Sequence, residues 1–110
     1  MKNKLIFLFL LSSFVLNAQK VFKVDYESQA DVKVFIVNYE SQCDLKVYKV
    51  DYESQAKGNK GRWFFVKYKS QSDKKIFFVK YESQADLKIY MVDYQSQSAW
   101  RNKSKQHLMF

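Results

Sequence analysis

A repeat of thirteen residues constrains the fold of this chain more than any other feature. Six copies of one strand-and-turn unit begin at Val21, Val34, Val47, Trp63, Ile76 and Ile89. Between the third and fourth copies, residues 57–62 lengthen the interval and contain both glycines of the chain. Because glycine supplies the positive φ angles of turns, we predict that this segment is the main loop and divides the domain into two sets of three copies.

Each copy alternates apolar and polar side chains with a period of two. Phe22, Val24 and Tyr26 share one face in the first copy, and such alternation of β-branched and aromatic residues is typical of a half-buried strand. We expect these side chains and their equivalents to point into a common interior, and the residue between Val and Tyr to be exposed. The equivalents are Phe35, Val37, Tyr39, Tyr48, Val50, Tyr52, Phe64, Val66, Tyr68, Phe77, Val79, Tyr81, Tyr90, Val92 and Tyr94.

The predicted fold class is all-β, with six tandem thirteen-residue strand–turn repeats in a compact closed or two-layer assembly. The chain contains no proline, and no long helical periodicity follows residue 18. Closing or covering the sheet removes exposed strand edges, which would otherwise template aggregation. We expect a single domain over residues 19–110, with a basic C-terminal tail at residues 102–110.

A small polar segment, Glu-Ser-Gln-Ala or a close variant, follows each tyrosine and predicts a turn. Ser and Gln occur in all six copies, beginning with Ser28 and Gln29. A serine hydroxyl can close a turn by bonding a nearby backbone group, and a glutamine amide both donates and accepts hydrogen bonds. We expect these residues to serve the structure; contact with a ligand is the alternative.

The first eighteen residues have the features of a secretion signal. Lys2 and Lys4 precede an apolar run over residues 5–16, and Ala18 offers a cleavage point. The run is shorter than the about 20 apolar residues of a spanning helix, so an uncleaved anchor is the weaker alternative. We predict cleavage near Ala18 and export to the periplasm, the outer surface or the medium.

The chain is basic, and this bears on its partners. Its formal net charge is +8, and removal of Lys2 and Lys4 with the signal leaves +6. A basic surface attracts anionic polymers without specificity. For an exported protein an anionic glycan or cell-envelope polymer is a more natural partner than nucleic acid.

No group of residues in the sequence predicts catalysis. We expect no catalytic, cofactor-binding or metal-binding residues: Cys43 occupies a small-residue position, and His107, the only histidine, lies in the basic tail. The acidic residues follow the repeat and predict a solvated ladder with lysines, although carboxylates of neighbouring copies that bind calcium are an alternative. The members of this ladder are Glu27, Asp31, Glu40, Asp44, Glu53, Asp73, Glu82 and Asp86, with Lys33, Lys46, Lys75 and Lys88.

The last three copies are more apolar than the first three at their first and third positions. If these side chains point outward, they form a patch of the kind that marks contact with a protein partner or self-association. The favoured alternative is a second buried layer. The residues concerned are Trp63, Phe65, Ile76, Phe78, Ile89 and Met91.

The repeat resembles a known family. The string Val-x-Tyr-Glu-Ser-Gln at residues 50–55, its longer form at residues 79–90 and the ending Trp-Arg-Asn-Lys-Ser-Lys at residues 100–105 are similar to septoil-knot domains, small bacterial proteins of unknown function. The resemblance implies an all-β domain whose backbone traces a torus knot of seven crossings. Lys57 and Ala99 replace the usual Asp, Cys43 replaces Ala, and Lys74 occupies an apolar position.

Three functional classes follow from these observations. The leading expectation is an exported, non-enzymatic structural or binding protein. The second is a module that binds an anionic glycan or a cell-envelope polymer. The third, a small hydrolase, has almost no support in the residues, because no convergent set of acid, base and nucleophile is present.

Overall fold

The computed structural model describes residues 18–110, so the predicted signal peptide lies outside the described residues except for Ala18. Seven strands and seven short 3-10 helices make up this part of the chain. The strands are β1 (Lys20–Lys23), β2 (Val32–Ile36), β3 (Leu45–Lys49), β4 (Arg62–Phe65), β5 (Lys74–Phe78), β6 (Leu87–Met91) and β7 (Ala99–Trp100). The 3-10 helices are η1 (Glu27–Gln29), η2 (Glu40–Gln42), η3 (Glu53–Gln55), η4 (Lys69–Gln71), η5 (Glu82–Gln84), η6 (Gln95–Gln97) and η7 (Lys103–Met109). Within residues 18–110, no helix has the length and apolar character needed to cross a bilayer.

The first six strands form a closed, all-parallel barrel. Their order around the barrel is β4-β1-β5-β2-β6-β3, and β3 pairs with β4 to close it, while β7 adds antiparallel to β3. Each strand of the first three copies therefore lies between two strands of the last three. The predicted all-β fold and its closed assembly are confirmed, and the two sets of three copies are interleaved rather than side by side.

A uniform stagger arranges the inward side chains in layers. Each strand is offset by two residues from its neighbour, as in the pairings Val21 with Phe65 and Val21 with Lys74. The first residue of every copy points into the barrel and is at most 1% exposed. The residue two places earlier fills the next layer, where Val32, Leu45 and Leu87 are buried and Lys74 is half-buried.

The predicted common interior of Phe, Val and Tyr is wrong for the tyrosines that follow the strands and for Phe22 and its equivalents. Each strand ends before its tyrosine, which lies instead in the following turn and is 58–69% exposed. The equivalents of Phe22 are half-buried on the face opposite Val21. Four of the valines, Val24, Val37, Val50 and Val79, are buried as expected, and the residue between Val and Tyr is exposed in every copy. Both faces of each strand carry large apolar side chains, so alternation alone did not distinguish them.

The turns wrap the outside of the barrel. Parallel neighbours cannot be joined by a hairpin and need a crossover, and here each crossover contains one short 3-10 helix that contacts the strand over which it passes. The contacts are η1 on β5, η2 on β6, η3 on β4, η4 on β1, η5 on β2 and η6 on β3.

Aspartates before four strands fasten neighbouring strands together. Asp86, before β6, accepts a hydrogen bond at Oδ2 from the Lys33 backbone N–H of β2 (3.0 Å), while its own N–H donates to the Lys33 carbonyl (2.8 Å). Asp31, Asp44 and Asp73 bond to Lys75, Lys88 and Lys20 in the same way. The predicted solvated ladder is wrong for Asp44, which is 5% exposed, whereas Asp31 and Asp73 are exposed; the carboxylates of all four aspartates also complete the barrel's hydrogen bonding.

The loop prediction is confirmed. Gly58 and Gly61 have φ angles of 76° and 81°, and β4 begins immediately after them. At Gly61 a Cβ atom would collide with the Lys46 carbonyl oxygen and lie 3.0 Å from Leu45 Cδ1. This position therefore requires glycine both for its backbone angle and for the close approach of β3.

The C-terminal segment packs against the barrel. Met109 in η7 is 1% exposed and belongs to the core, and its carbonyl accepts a hydrogen bond from Gln19 Nε2 (2.6 Å). Lys105 Nζ lies 3.4 Å from Asp44 Oδ2, and Trp100 Nε1 donates to the Asn59 carbonyl (2.9 Å). The basic tail is thus part of the folded structure and its Lys105 charge is paired.

Candidate functional site

The residues predicted as a partner-contact patch do not form a continuous exposed surface. Trp63, Ile76 and Ile89 lie inside the barrel and are at most 1% exposed, as in the alternative of a buried layer. Phe65 and Phe78 are half-buried and pack on the core, and only Met91, at 38%, is exposed. The first and third residues of each copy lie on the same face of the strand, and the third is more exposed because it is the last residue of its strand and lies at the barrel mouth.

This mouth combines aromatic rings and lysines at the carboxyl ends of the strands. The Phe65 ring meets Trp63 edge to face, with centroids 6.3 Å apart. Lys49 Nζ lies 5.5 Å from the centroid of Phe65, and Lys23 Nζ lies 5.7 Å from that of Phe78. Both distances suit a cation–π contact, so the lysines cover rings that the barrel leaves partly open.

The most exposed aromatic side chains form a belt around the barrel. We call this set the tyrosine belt; its members are Tyr26 (68%), Tyr39 (67%), Tyr52 (69%), Tyr68 (65%), Tyr81 (58%) and Tyr94 (67%). Each ring projects from the same kind of turn, because all six tyrosines precede a 3-10 helix with φ from −119° to −129° and ψ from 136° to 141°. The structure therefore presents one aromatic group six times in one local geometry.

Backbone bonds, rather than the serines, hold these turns. In every copy the Gln N–H donates to the Tyr carbonyl at 3.0–3.1 Å. The six serines and six glutamines are exposed, and within residues 18–110 none of these serine hydroxyls has a hydrogen-bond partner, so the predicted closure by serine is wrong. Among the glutamines only Gln55 and Gln97 bond their own turn, through Oε1 to the N–H of Tyr52 and Tyr94. The Ser and Gln side chains thus face solvent beside an exposed ring.

Ion pairs neutralise most lysines of the barrel wall, which confirms the predicted ladder for the glutamates. Lys33 pairs with Glu27 (3.6 Å), Lys46 with Glu40 (3.2 Å) and Lys88 with Glu82 (3.9 Å), each six residues apart. Lys20 pairs with Glu53 (3.2 Å) and Lys75 with Asp31 (3.8 Å). Such exposed pairs contribute little stability, but they cancel local charge.

The residues considered as a nucleophile or as metal ligands are Cys43, His107 and the carboxylates. Cys43 is 5% exposed; burial raises the pKa of its thiol, and hydrogen bonding from Arg101 opposes this shift. A thiol held in its neutral form is a poor nucleophile. No group of three or more His, Cys, Asp or Glu side chains in this range is placed to hold a metal ion. His107 Nδ1 lies 3.0 Å from the Ser104 carbonyl on the exposed side of η7.

Comparison with known proteins identifies the family. The model of the 7(1) septoil knot domain matches residues 18–101, which include all seven strands. The chain belongs to the septoil-knot domain family. Within this septoil-knot domain the six turns of the tyrosine belt and the four aspartate bonds all fall in the matched region. No curated protein and no solved structure shows significant similarity to the chain.

The tyrosine belt was not predicted from the sequence, because the apolar alternation assigned the tyrosines to the core. The residues next to each tyrosine indicated its exposure. Ser and Gln follow each tyrosine closely in all six copies, and side chains this polar are unusual in a buried layer. The polar surroundings of the tyrosines therefore indicated the solvent face.

Proposed function

We propose that this septoil-knot domain is an exported, non-enzymatic binding protein whose tyrosine belt contacts a polysaccharide. The observation that carries the proposal is the exposure of all six tyrosines, each at least 58% accessible. Packing does not account for six large aromatic groups in solvent, because burying a tyrosine is favourable. Repeated exposure of this kind supports a role at the surface.

The turns offer the groups that recognise sugars. A tyrosine ring has an apolar face and a polar hydroxyl, so it can stack on the C–H face of a sugar while its edge bonds water or hydroxyls. The adjacent glutamine supplies a donor and an acceptor, and the serine supplies a hydroxyl. Because most of these groups have no partner within the described chain, a sugar can bond them without breaking internal hydrogen bonds.

Repetition favours a polymeric ligand. One exposed ring with two polar neighbours provides weak binding, but turns joined by a rigid barrel act at high effective concentration on a ligand that repeats. A shallow groove also connects two turns, since Glu40 of η2 and Gln97 of η6 line it together with Tyr90. A polysaccharide chain can therefore contact several turns at once.

Replacing all six belt tyrosines by serine tests this function. We expect the variant to stay folded, since the rings are mostly exposed, and to lose retention on the polysaccharides that hold the wild-type protein. Retention is measured against an array of soluble and insoluble polysaccharides, neutral and acidic. The chain length of each polysaccharide is measured before and after incubation and is expected to stay constant. Wild-type retention by the sixfold variant contradicts the proposal.

We also propose that the backbone is knotted, as the name of the family implies. The interleaved order of the barrel supports this, because the second set of strands threads between the members of the first. A knot would restrict the unfolded chain in the absence of an internal disulfide, since the one cysteine, Cys43, is buried and free.

A further inference from the structure

In the turns of the fourth and fifth copies, lysines occupy positions beside the tyrosine that are acidic or amide in most other copies. The residue before the tyrosine is acidic or amide in four copies, whereas it is Lys67 in the fourth and Lys80 in the fifth. The residue after the tyrosine is Glu or Gln in five copies and Lys69 in the fourth. All three lysines are exposed, and they flank Tyr68 and Tyr81 of the tyrosine belt.

The barrel topology brings these lysines to one side. β4, β1 and β5 are neighbours, and Lys67 and Lys80 follow the carboxyl ends of β4 and β5. Lys69 belongs to η4, which contacts β1, and Lys23 ends β1. We call Lys23, Lys67, Lys69 and Lys80 the basic arc; these residues come from three separate copies and lie on one side of the barrel because the two sets of strands interleave.

The charges of the basic arc are not cancelled internally. Within residues 18–110 no carboxylate lies within ion-pair distance of these four lysines, whereas the barrel-wall lysines Lys20, Lys33, Lys46, Lys75 and Lys88 are all paired. The turn of Lys69 breaks the spacing that pairs Lys33 with Glu27, because a lysine replaces the glutamate six residues before Lys75. Lys75 pairs instead with Asp31 (3.8 Å).

The carboxylates on this side are Asp25, Glu27 and Glu82, and Glu82, next to Tyr81, is paired with Lys88 (3.9 Å). Asp25 follows β1 and is exposed, so it offsets one of the four lysines. Glu27 of η1, which contacts β5, is paired with Lys33. Like charges without partners raise the energy of the folded chain, and a local departure from the repeat without an internal gain points to a functional surface.

We propose that the basic arc binds an acidic polysaccharide, with Tyr68 and Tyr81 stacking on its sugars and the lysines contacting its carboxylates or sulfates. This inference rests on the proposed function and specifies the ligand's charge class and the turns it occupies. Lys80 Nζ lies 5.7 Å from the centroid of Tyr81, so cation and ring form one unit that matches an anionic sugar. A polymer is favoured over a lipid surface because the apolar rings near the arc, Phe65 and Phe78, are half-buried and covered by Lys49 and Lys23.

Charge reversal with a matched control tests the proposal. The arc variant carries Lys67→Glu, Lys69→Glu and Lys80→Glu, and the control carries Lys57→Glu, Lys60→Glu and Lys103→Glu. The control lysines are also exposed, and no ion pair of the described chain includes them. Binding of the full-length protein to dextran sulfate and to unsulfated dextran of equal length is measured at two salt concentrations, with anionic phospholipid vesicles as a further probe.

We expect the arc variant to bind dextran sulfate at least about tenfold more weakly than wild type, and the control to stay within about threefold. Wild-type binding should weaken as salt rises, because screening shortens the reach of the charges. Equal losses in both variants show a response to net charge alone and overturn the proposal. Equal wild-type binding to dextran and dextran sulfate, or tighter binding to the vesicles than to dextran sulfate, overturns it as well.

Tyrosine variants separate this inference from the proposed function. The arc proposal predicts that Tyr68→Ser with Tyr81→Ser weakens binding to dextran sulfate more than Tyr39→Ser with Tyr52→Ser. If both pairs weaken binding to polysaccharides equally while the arc variant binds as wild type, the basic arc is refuted and the tyrosine belt remains supported. If the arc variant weakens binding and no tyrosine replacement does, the proposed role of the belt fails.

Discussion

Gly61 shows how one residue without a side chain permits the barrel to close. It is buried at the junction of β3 and β4, where Tyr48 N–H donates to its carbonyl (2.8 Å). β3 and β4 are the last and first strands of the two sets, so their pairing completes the ring. A side chain at this position would separate the strands that close the barrel.

We predict that Gly61→Ala lowers the free energy of unfolding by about 2–5 kcal/mol, from the left-handed backbone angle and the clash with Lys46 combined. Gly58→Ala is the matched control, since its φ is also positive at 76° but its nearest neighbour is a flexible Lys60 carbon at 3.7 Å. That control should lose only about 1–2 kcal/mol. Urea unfolding of both variants measures the difference, and equal losses would show that the close approach of β3 is unimportant.

At the level of the elements, an aspartate just before a strand strengthens the parallel pairing of that strand with its neighbour. Each of the four aspartates that precede β2, β3, β5 and β6 bonds both ways with the backbone of a neighbouring strand. The third and sixth copies carry Lys57 and Ala99 at this position, where the loop and β7 replace the regular crossover. The aspartate therefore marks a turn that leads directly into a barrel strand.

Asp86→Ala removes one such bond without creating a clash. We expect a loss of about 1.5–3 kcal/mol in the free energy of unfolding, the usual range for a hydrogen bond to a charged group. Asp93→Ala, at an exposed turn position with no hydrogen bond or ion pair to the described residues, should change it by less than about 0.5 kcal/mol. Thermal or urea unfolding provides the comparison. A loss for Asp86→Ala as small as that for Asp93→Ala would show that core packing alone fixes the strand register.

On the scale of the whole molecule, the interleaved barrel makes most pairings distant in sequence. β1 pairs with β4 and β5 but with neither β2 nor β3, and Val21 lies opposite Lys74. Long-range pairing slows folding because the chain loses the entropy of loop closure before the stabilising contacts form. Folding of this septoil-knot domain therefore depends on the second half of the chain entering the spaces between the first three strands.

Pulling the chain from its ends tests the proposed knot. With handles at Gln19 and Phe110, a knotted chain should extend to less than the contour length of about 3.3–3.6 Å per residue, because the tightened knot retains part of the chain. An unstructured polypeptide of equal length in the same tether provides the calibration. Extension to the full contour length in every molecule would show that the backbone is unknotted, as in nearly all proteins.

The sequence by itself determined the six repeated strands and the turns between them, but neither β7 nor the 3-10 helices. The period of thirteen residues located six strands and their turns, the two glycines located the loop between the sets, and the absence of proline and of helical periodicity left an all-β chain. These features depend on residues near one another in the chain, and such a pattern indicates the local backbone conformation directly. The likeness of the repeat to the septoil-knot family was visible at the same level.

Only the tertiary structure decided which side of each strand is the interior and which strands are neighbours. Val21 and Phe22 are both apolar, so either face satisfied the alternation, and the barrel selected the side of Val21 because the wrapped turns cover the side of Phe22 only in part. The basic arc arose in the same way, since Lys23 and Lys80 are distant in sequence and are brought to one side of the barrel by the pairing of β1 with β5. Pairing between near-identical strands depends on the closure of the whole ring, and no single copy of the repeat carries that information.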